Sequence, residues 1–144
     1  MEGGVLQVQG IPQVEEVSAR NLRVRFSPVN EPLTAGGMAV WWAFDIQNVG
    51  AEVVNLTFAS GQRAEVVLSH EGVERYRWSE GKAFTQALET VTIAPGEILP
   101  IVLNDELTVE AGRYDLRATI MGVAGPQGAE PVPLPQLTLT VTVQ

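Results

Sequence analysis

The chain has 144 residues, with 9 basic against 17 acidic side chains, a net charge of −8 and no cysteine. That length suits one domain able to bury a core without a metal or disulfide staple, and the absence of sulfur ligands and nucleophiles removes disulfide frameworks, thiolate catalysis and cysteine-based zinc or iron–sulfur sites. The acidity disfavours nucleic acid and anionic membranes, which recruit clustered Lys and Arg, and a single histidine thins the catalytic options.

The first 18 residues have no basic region and no continuous apolar run. They do not read as a signal peptide, and a cytoplasmic location is expected. They hold one short strand candidate, residues 5–9, and form an N-terminal segment, a candidate extra edge strand, before a domain spanning 19–144. No run approaches the length of a membrane span.

From residue 22 onward, alternation with period two dominates, the mark of half-buried strands. Leu22, Val24 and Phe26 oppose Arg23, Arg25 and Ser27. Between 38 and 49, Val40, Trp42, Phe44 and Ile46 oppose Trp41, Ala43, Asp45 and Gln47. Trp42 is therefore expected inside. Trp41 is displayed outside, either beneath the N-terminal segment or as a contact surface. Val54, Leu56 and Phe58 alternate next, then Val66 and Leu68 against Glu65 and Ser69, then Tyr76 and Trp78 against Arg75 and Arg77.

Less regular strands are read at 90–93 and 98–103. Alternation returns at 114–120 and is most regular at 137–143. Gly, Pro and Asn separate these runs as turn residues. The best helical prospect is one turn near 80–87. Residues 122–135, glycine-rich and then carrying Pro131, Pro133 and Pro135, read as a loop. The whole predicts an all-β fold: an immunoglobulin-like antiparallel β-sandwich with Greek-key connections, 8–9 strands and at most one helical turn.

Catalytic chemistry does not assemble. His70 is a strand-end residue whose neighbour Ser69 faces the other way, and no Gly-x-Ser-x-Gly elbow is present. Asn104-Asp105-Glu106 is the densest oxygen cluster and reads as an acidic turn without calcium-loop spacing. No enzyme, metal or cofactor is expected. Gly112-Arg-Tyr114 at a strand start resembles the tyrosine corner of immunoglobulin-like sandwiches, a structural device.

Three stretches carry a family pattern. They are Leu56-Thr-Phe-Ala-Ser-Gly-Gln-Arg63, Tyr76-Arg-Trp-Ser-Glu-Gly-Lys-Ala-Phe84-Thr-Gln-Ala-Leu88 and Ala94-Pro-Gly-Glu97. In that order, with Asn48 and Gly112-Arg-Tyr114, they resemble the BsuPI family of bacterial intracellular proteinase inhibitors. The resemblance implies an immunoglobulin-like sandwich that inhibits an intracellular, subtilisin-like serine protease. One departure is visible: where the family carries an aromatic followed by Asp, this chain has Ala64-Glu65.

An inhibitor without cysteine or metal must act by shape, through a rigid loop that fills a cleft. The candidate is Trp78, Ser79, Glu80, Gly81, Lys82 and Phe84. Gly81 permits a tight turn, Trp78 and Phe84 pin the ends, and Lys82 projects at the tip. Residues 32–37 form a second candidate with weaker anchors. The alternative is an immunoglobulin-like binding or assembly module without inhibitory activity, pairing through an edge strand or Trp41. Either way the partner is a protein and the chain is expected to be a monomer.

Overall fold

The computed structural model describes residues 14–17, 21–29, 32–125 and 132–144. The strand candidate at 5–9 lies outside them. Among the described residues, twelve strands carry the fold and there is no helix. They are β1 (Val14–Val17), β2 (Leu22–Pro28), β3 (Met38–Asn48), β4 (Val54–Phe58), β5 (Ala64–His70), β6 (Val73–Arg77), β7 (Glu89–Ile93), β8 (Ile98–Leu107), β9 (Gly112–Ile120), β10 (Val123–Gly125), β11 (Val132–Pro133) and β12 (Leu137–Val143).

The alternating rows become the strands expected of them, because each presents one apolar face to a shared core. In β2 burial alternates at every residue, with Leu22, Val24 and Phe26 inside. In β3 Trp42 is fully buried while Trp41 is 40% exposed on the other face. Phe26 and Phe44 meet at 4.8 Å between ring centroids, and Phe26 lies 6.3 Å from Trp42. Together with Phe58, Leu68 and Leu116 they fill the centre of the sandwich.

Three antiparallel sheets result, in the orders β1-β2-β3-β8, β12-β9-β5-β6 and β11-β10-β4-β7. The first two are the faces of an immunoglobulin-like sandwich. The chain passes from the first to the second between β8 and β9, and there Tyr114 Oη donates to Glu110 C=O at 2.7 Å. The tyrosine corner is therefore present.

The third sheet raises the strand count above the expected eight or nine. Its strands continue those of the two faces: β4 follows β3, β7 leads into β8, β10 follows β9 and β11 leads into β12. Residues 122–135, expected as a loop, thus contribute two short strands, Val123–Gly125 against β4 and Val132–Pro133 outside it. Pro133 sits on the edge strand, where a missing N–H is tolerated.

Asn48 holds the junction where β3 and β8 both leave the first sheet. It is fully buried. Its Nδ2 donates to Glu52 C=O (2.7 Å) and Ile93 C=O (2.9 Å), and its Oδ1 accepts from Gly50 N–H (2.9 Å). Its own backbone bonds Glu97 and Gly96 across the gap. One amide therefore satisfies backbone groups in the β3–β4 connection and at the end of β7.

Candidate functional site

Residues 78–88 leave the end of β6 and return to β7. No helical turn forms at 80–87. Glu80 N–H bonds Arg77 C=O and Lys82 N–H bonds Ser79 C=O, each at 3.1 Å, and Gly81 takes a positive φ of 78°. The chain then runs irregularly to Leu88. Glu80–Ala83 and 85–88 are exposed, whereas Trp78 is buried and Phe84 half-buried.

Trp78 belongs to the core cluster, and its Nε1 donates to Asn104 C=O of β8 at 3.0 Å. Phe84 packs on Trp78 with 5.7 Å between centroids. Lys82 behaves differently from the expectation. It does not project at the tip but folds back: Nζ donates to Trp78 C=O at 2.7 Å, sits 4.7 Å from the centre of the Trp78 ring and pairs with Asp105 at 3.4 Å. A cation with an apolar stem gains more over an indole beside a carboxylate than in open solvent. The exposed turn itself is formed by Glu80 and Gly81.

Asp105 is available because Asn104-Asp105-Glu106 is no turn. All three residues lie within β8, so Asn104 and Glu106 face one way and Asp105 the other. Their oxygens diverge and form no common ligand set. Asp105 accepts from Tyr76 Oη at 2.8 Å, and Tyr76 Oη accepts from Trp42 Nε1 at 3.2 Å. Burial, and secondarily the Asp105 carboxylate, push the Tyr76 phenol well above its ordinary range.

Glu65 is the residue that sequence reasoning missed. Ala64 and Glu65 are both buried, so this pair is not surface. Where β6 departs, Val66 C=O accepts from Trp78 N–H at 2.9 Å. Glu65 Oε1 then accepts from Val66 N–H (3.2 Å) and Ser79 N–H (3.1 Å). Oε2 accepts from Ser79 Oγ in a short contact, from Gln62 Nε2 at 3.2 Å and from Arg77 Nη1 at 3.4 Å. A carboxylate in an otherwise apolar strand start, Ala64-Glu65-Val66-Val67, is the signal that could have found it.

The Ser60-Gly61-Gln62 stretch packs against the far half of the same loop. Gly61 N–H donates to Thr85 C=O at 2.8 Å. A Cβ at residue 61 would lie 2.7 Å from Thr85 Oγ1, so glycine is required for the approach. Arg63 lies over the Phe58 ring and pairs with Glu89 at the loop's end. The loop is thus tied at Ser79, Lys82, Phe84, Thr85 and Glu89, with exposed backbone between the ties.

The remaining candidates lie elsewhere. Trp41 is on the outer face of the first sheet, opposite Asn104 in register. In the second loop candidate Leu33 is buried and bridged to Val143, and Ala35 N–H bonds Gln144 C=O, so residues 32–37 are pinned to the C-terminal strand. His70, half-exposed at the end of β5, bonds Arg113 C=O through Nδ1 at 3.0 Å and packs 5.8 Å from Tyr114. Its Nε2 lies 3.9 Å from the exposed Glu71 carboxylate. No described helix is long and apolar enough to cross a membrane.

A family model described as BsuPI, intracellular proteinase inhibitor, matches residues 26–125. No curated protein matches the chain. Among solved structures, one assigned to ApaA of Bordetella pertussis superposes with a TM-score of 0.56 at 15% identity, covering 89% of this chain and 98% of that one. A CARDB domain from Pyrococcus furiosus, solved with di-metal ions, gives 0.43 at 15% identity over 88% and 97%. A PapD-like domain of human CEP192 gives 0.41 at 13% identity over 100% and 96%. At 15% identity the first of these likenesses concerns the fold alone.

Proposed function

The chain belongs to the BsuPI family of intracellular proteinase inhibitors, and from that premise we propose that it blocks an intracellular, subtilisin-like serine protease sterically, through residues 78–84. The observation that carries this reading is the frame beneath the loop. Glu65, the Trp78–Phe84 pair and the Gly61–Thr85 contact fix its course, while Glu80 and Gly81 stand out to solvent. A segment already held in one conformation gives up little entropy on docking, and a loop that does not move is a poor substrate even when it fills a cleft.

The roles divide by position. Glu80, Gly81 and the backbone around them meet the enzyme. Trp78, Phe84 and the inward-turned Lys82 hold the shape, and Ser79 ties the first half to Glu65. The chain acts in the cytoplasm as a monomer and without nucleic acid, metal or catalytic chemistry of its own.

Titration of the purified protein into a subtilisin-type protease, with peptide hydrolysis as readout, tests this. Saturable inhibition that disappears when residues 79–83 become a Gly/Ser linker is the expected result. Absence of inhibition, or steady digestion of the protein, refutes it and leaves the binding-module alternative, which the half-exposed Trp41 favours.

A further inference from the structure

Strand β8 is the outer strand of the first sheet, and β7, which leads into it, is the outer strand of the third. Among the described residues neither has a strand on its second side. Two bonds fix where the free backbone groups of β8 point. Trp41 C=O accepts from Val29 N–H on the β2 side, and Asn104 C=O accepts from the Trp78 indole outside the sheet. The register pair Trp41–Asn104 therefore exchanges no bonds. Stepping by two along β8, Val102, Pro100 and Ile98 also aim their backbone groups outward. Pro100 gives up nothing to β3, and the edge offers the N–H and C=O of Val102 and Ile98 and the C=O of Pro100.

Native sheets blunt such edges with lysine, bulges or a covering segment. Here residues 98–103 read Ile-Leu-Pro-Ile-Val-Leu, and Pro100 is the sole interruption. Ile98 is 51% and Val102 57% exposed. Beside the edge opens a cavity of about 280 Å³ lined by Phe58, Arg63, Val91, Leu99, Pro100 and Ile101. At its wall Arg63 Nη1 is buried without an acceptor. Acids close the apolar run at both ends, Glu97 before it and Asp105 and Glu106 after, with no Lys or Arg anywhere on β7 or β8.

We propose that the edge of β8 is a docking strand. Its occupant is an extended segment of the target protease with an apolar side chain for the cavity, set between basic residues that meet Glu97 and Glu106. This rests on the inhibitor reading above. The Trp78–Asn104 bond makes loop and edge one continuous surface, so an enzyme engaged by the loop reaches the edge directly. Backbone pairing supplies adhesion, the cavity selects the side chain, and a small rotation of Arg63 gives its unused N–H a carbonyl. A second copy of this chain fits poorly: antiparallel pairing centred on Ile101 sets Glu97 of each copy against Asp105 of the other.

Two arms test the proposal separately from the inhibitor reading. In the first, a fluorescently labelled peptide, acetyl-Lys-Thr-Val-Thr-Val-Leu-Val-Thr-Thr-Lys-amide, whose lysines are spaced as Glu97 and Glu106 are, is bound to the full chain and followed by anisotropy, beside a counterpart flanked by Glu. Expected are binding of the basic peptide at least about tenfold tighter than of the acidic one, and a loss of about tenfold or more in Val102→Pro, with Val102→Thr unchanged. Val102→Lys keeps the N–H and repels the flanks, and it carries the test should the proline variant not fold. No binding, or equal binding by these variants, overturns the docking strand.

In the second arm protease inhibition weakens by a similar factor in Val102→Lys. Inhibition untouched by both substitutions overturns the docking strand while sparing the loop. A wild type that binds the peptide and inhibits nothing sinks only the inhibitor reading. A dimer in light scattering that Val102→Pro dissociates assigns the edge to a second copy and overturns the proposal.

Discussion

Replacing Glu65 by Ala removes the carboxylate on which the loop closes. Two backbone donors, Val66 N–H and Ser79 N–H, lose their acceptor, and Val66 is fully buried. An unsatisfied buried donor costs roughly 1–3 kcal/mol. Ser79 is half-buried and can reach water, its hydroxyl and Gln62 can turn outward, and Arg77 keeps two bonds to Glu74. Relief of a desolvated charge offsets part of the loss. The sum is about 2–3 kcal/mol, which in a domain near 150 residues lowers Tm by about 8 °C.

Freeing Ser79 to Lys82 also returns conformational entropy to the loop, at about 0.5–1.5 kcal/mol per side chain that must again be immobilised, so protease affinity falls by about tenfold or more. Thermal melts and inhibition titrations measure the two effects. Glu65→Gln, which keeps one acceptor, falls between. Glu74→Ala serves as the control, since that carboxylate pairs with Arg77 on the exposed face. A Glu65→Ala variant that melts within about 2 °C of wild type, or that inhibits as strongly, refutes the view that a buried carboxylate organises the loop.

Three other outcomes follow from the same geometry. Gly61→Ala drives a Cβ into Thr85 Oγ1 at 2.7 Å and loses about 1–3 kcal/mol and inhibitory strength; adding Thr85→Ala, which leaves the nearest contact at backbone distance, restores most of both in melts and titrations. Asn48→Ala strands Gly50 N–H and the carbonyls of Glu52 and Ile93 and costs about 3 kcal/mol in denaturant unfolding, with the loop's own contacts intact. Tyr76 has a raised phenol pKa, so the folded chain keeps a proton that the unfolded chain releases above its ordinary value of 10.0. Its contribution is therefore complete below about pH 10 and declines as pH rises beyond it, and melts of Tyr76→Phe lack that alkaline slope.

The sandwich was legible wherever two faces differ. Leu22 to Ser27, Met38 to Gln47 and Leu137 to Val143 alternate so regularly that register and facing follow from the pleat alone. The strand at 98–107 is read short in the sequence, and those at 123–125 and 132–133 are read as loop, for opposite reasons. Asn104-Asp105-Glu106 has a turn's composition, but Asp105 points inward to Tyr76 and Lys82, partners distant in sequence. The Gly/Pro stretch after Ile120 yields strands because β4 supplies a neighbour, a tertiary fact that local propensity cannot register.

The same distinction runs through the site. The spacing of Trp78 and Phe84 about Gly81 shows two aromatics flanking a turn, and the two rings pack on each other. The inward turn of Lys82 depends on Asp105 of β8, and the role of Glu65 depends on where β6 breaks away. Neither is written in the neighbourhood of the residue concerned.

The third sheet has a kinetic consequence. Its pairings join segments remote in sequence, such as Leu56 with Ala124, and each of its strands is an extension of one on a face of the sandwich. It cannot nucleate locally, nor peel away as a separable module once formed. Such a closure belongs late on the folding route, after both faces have met, and makes that route slow. Reopening it demands nearly global unfolding. In hydrogen exchange the amides of β4 and β10 then share the protection of the central strands, and a protease meeting this chain finds no subglobal opening there to exploit.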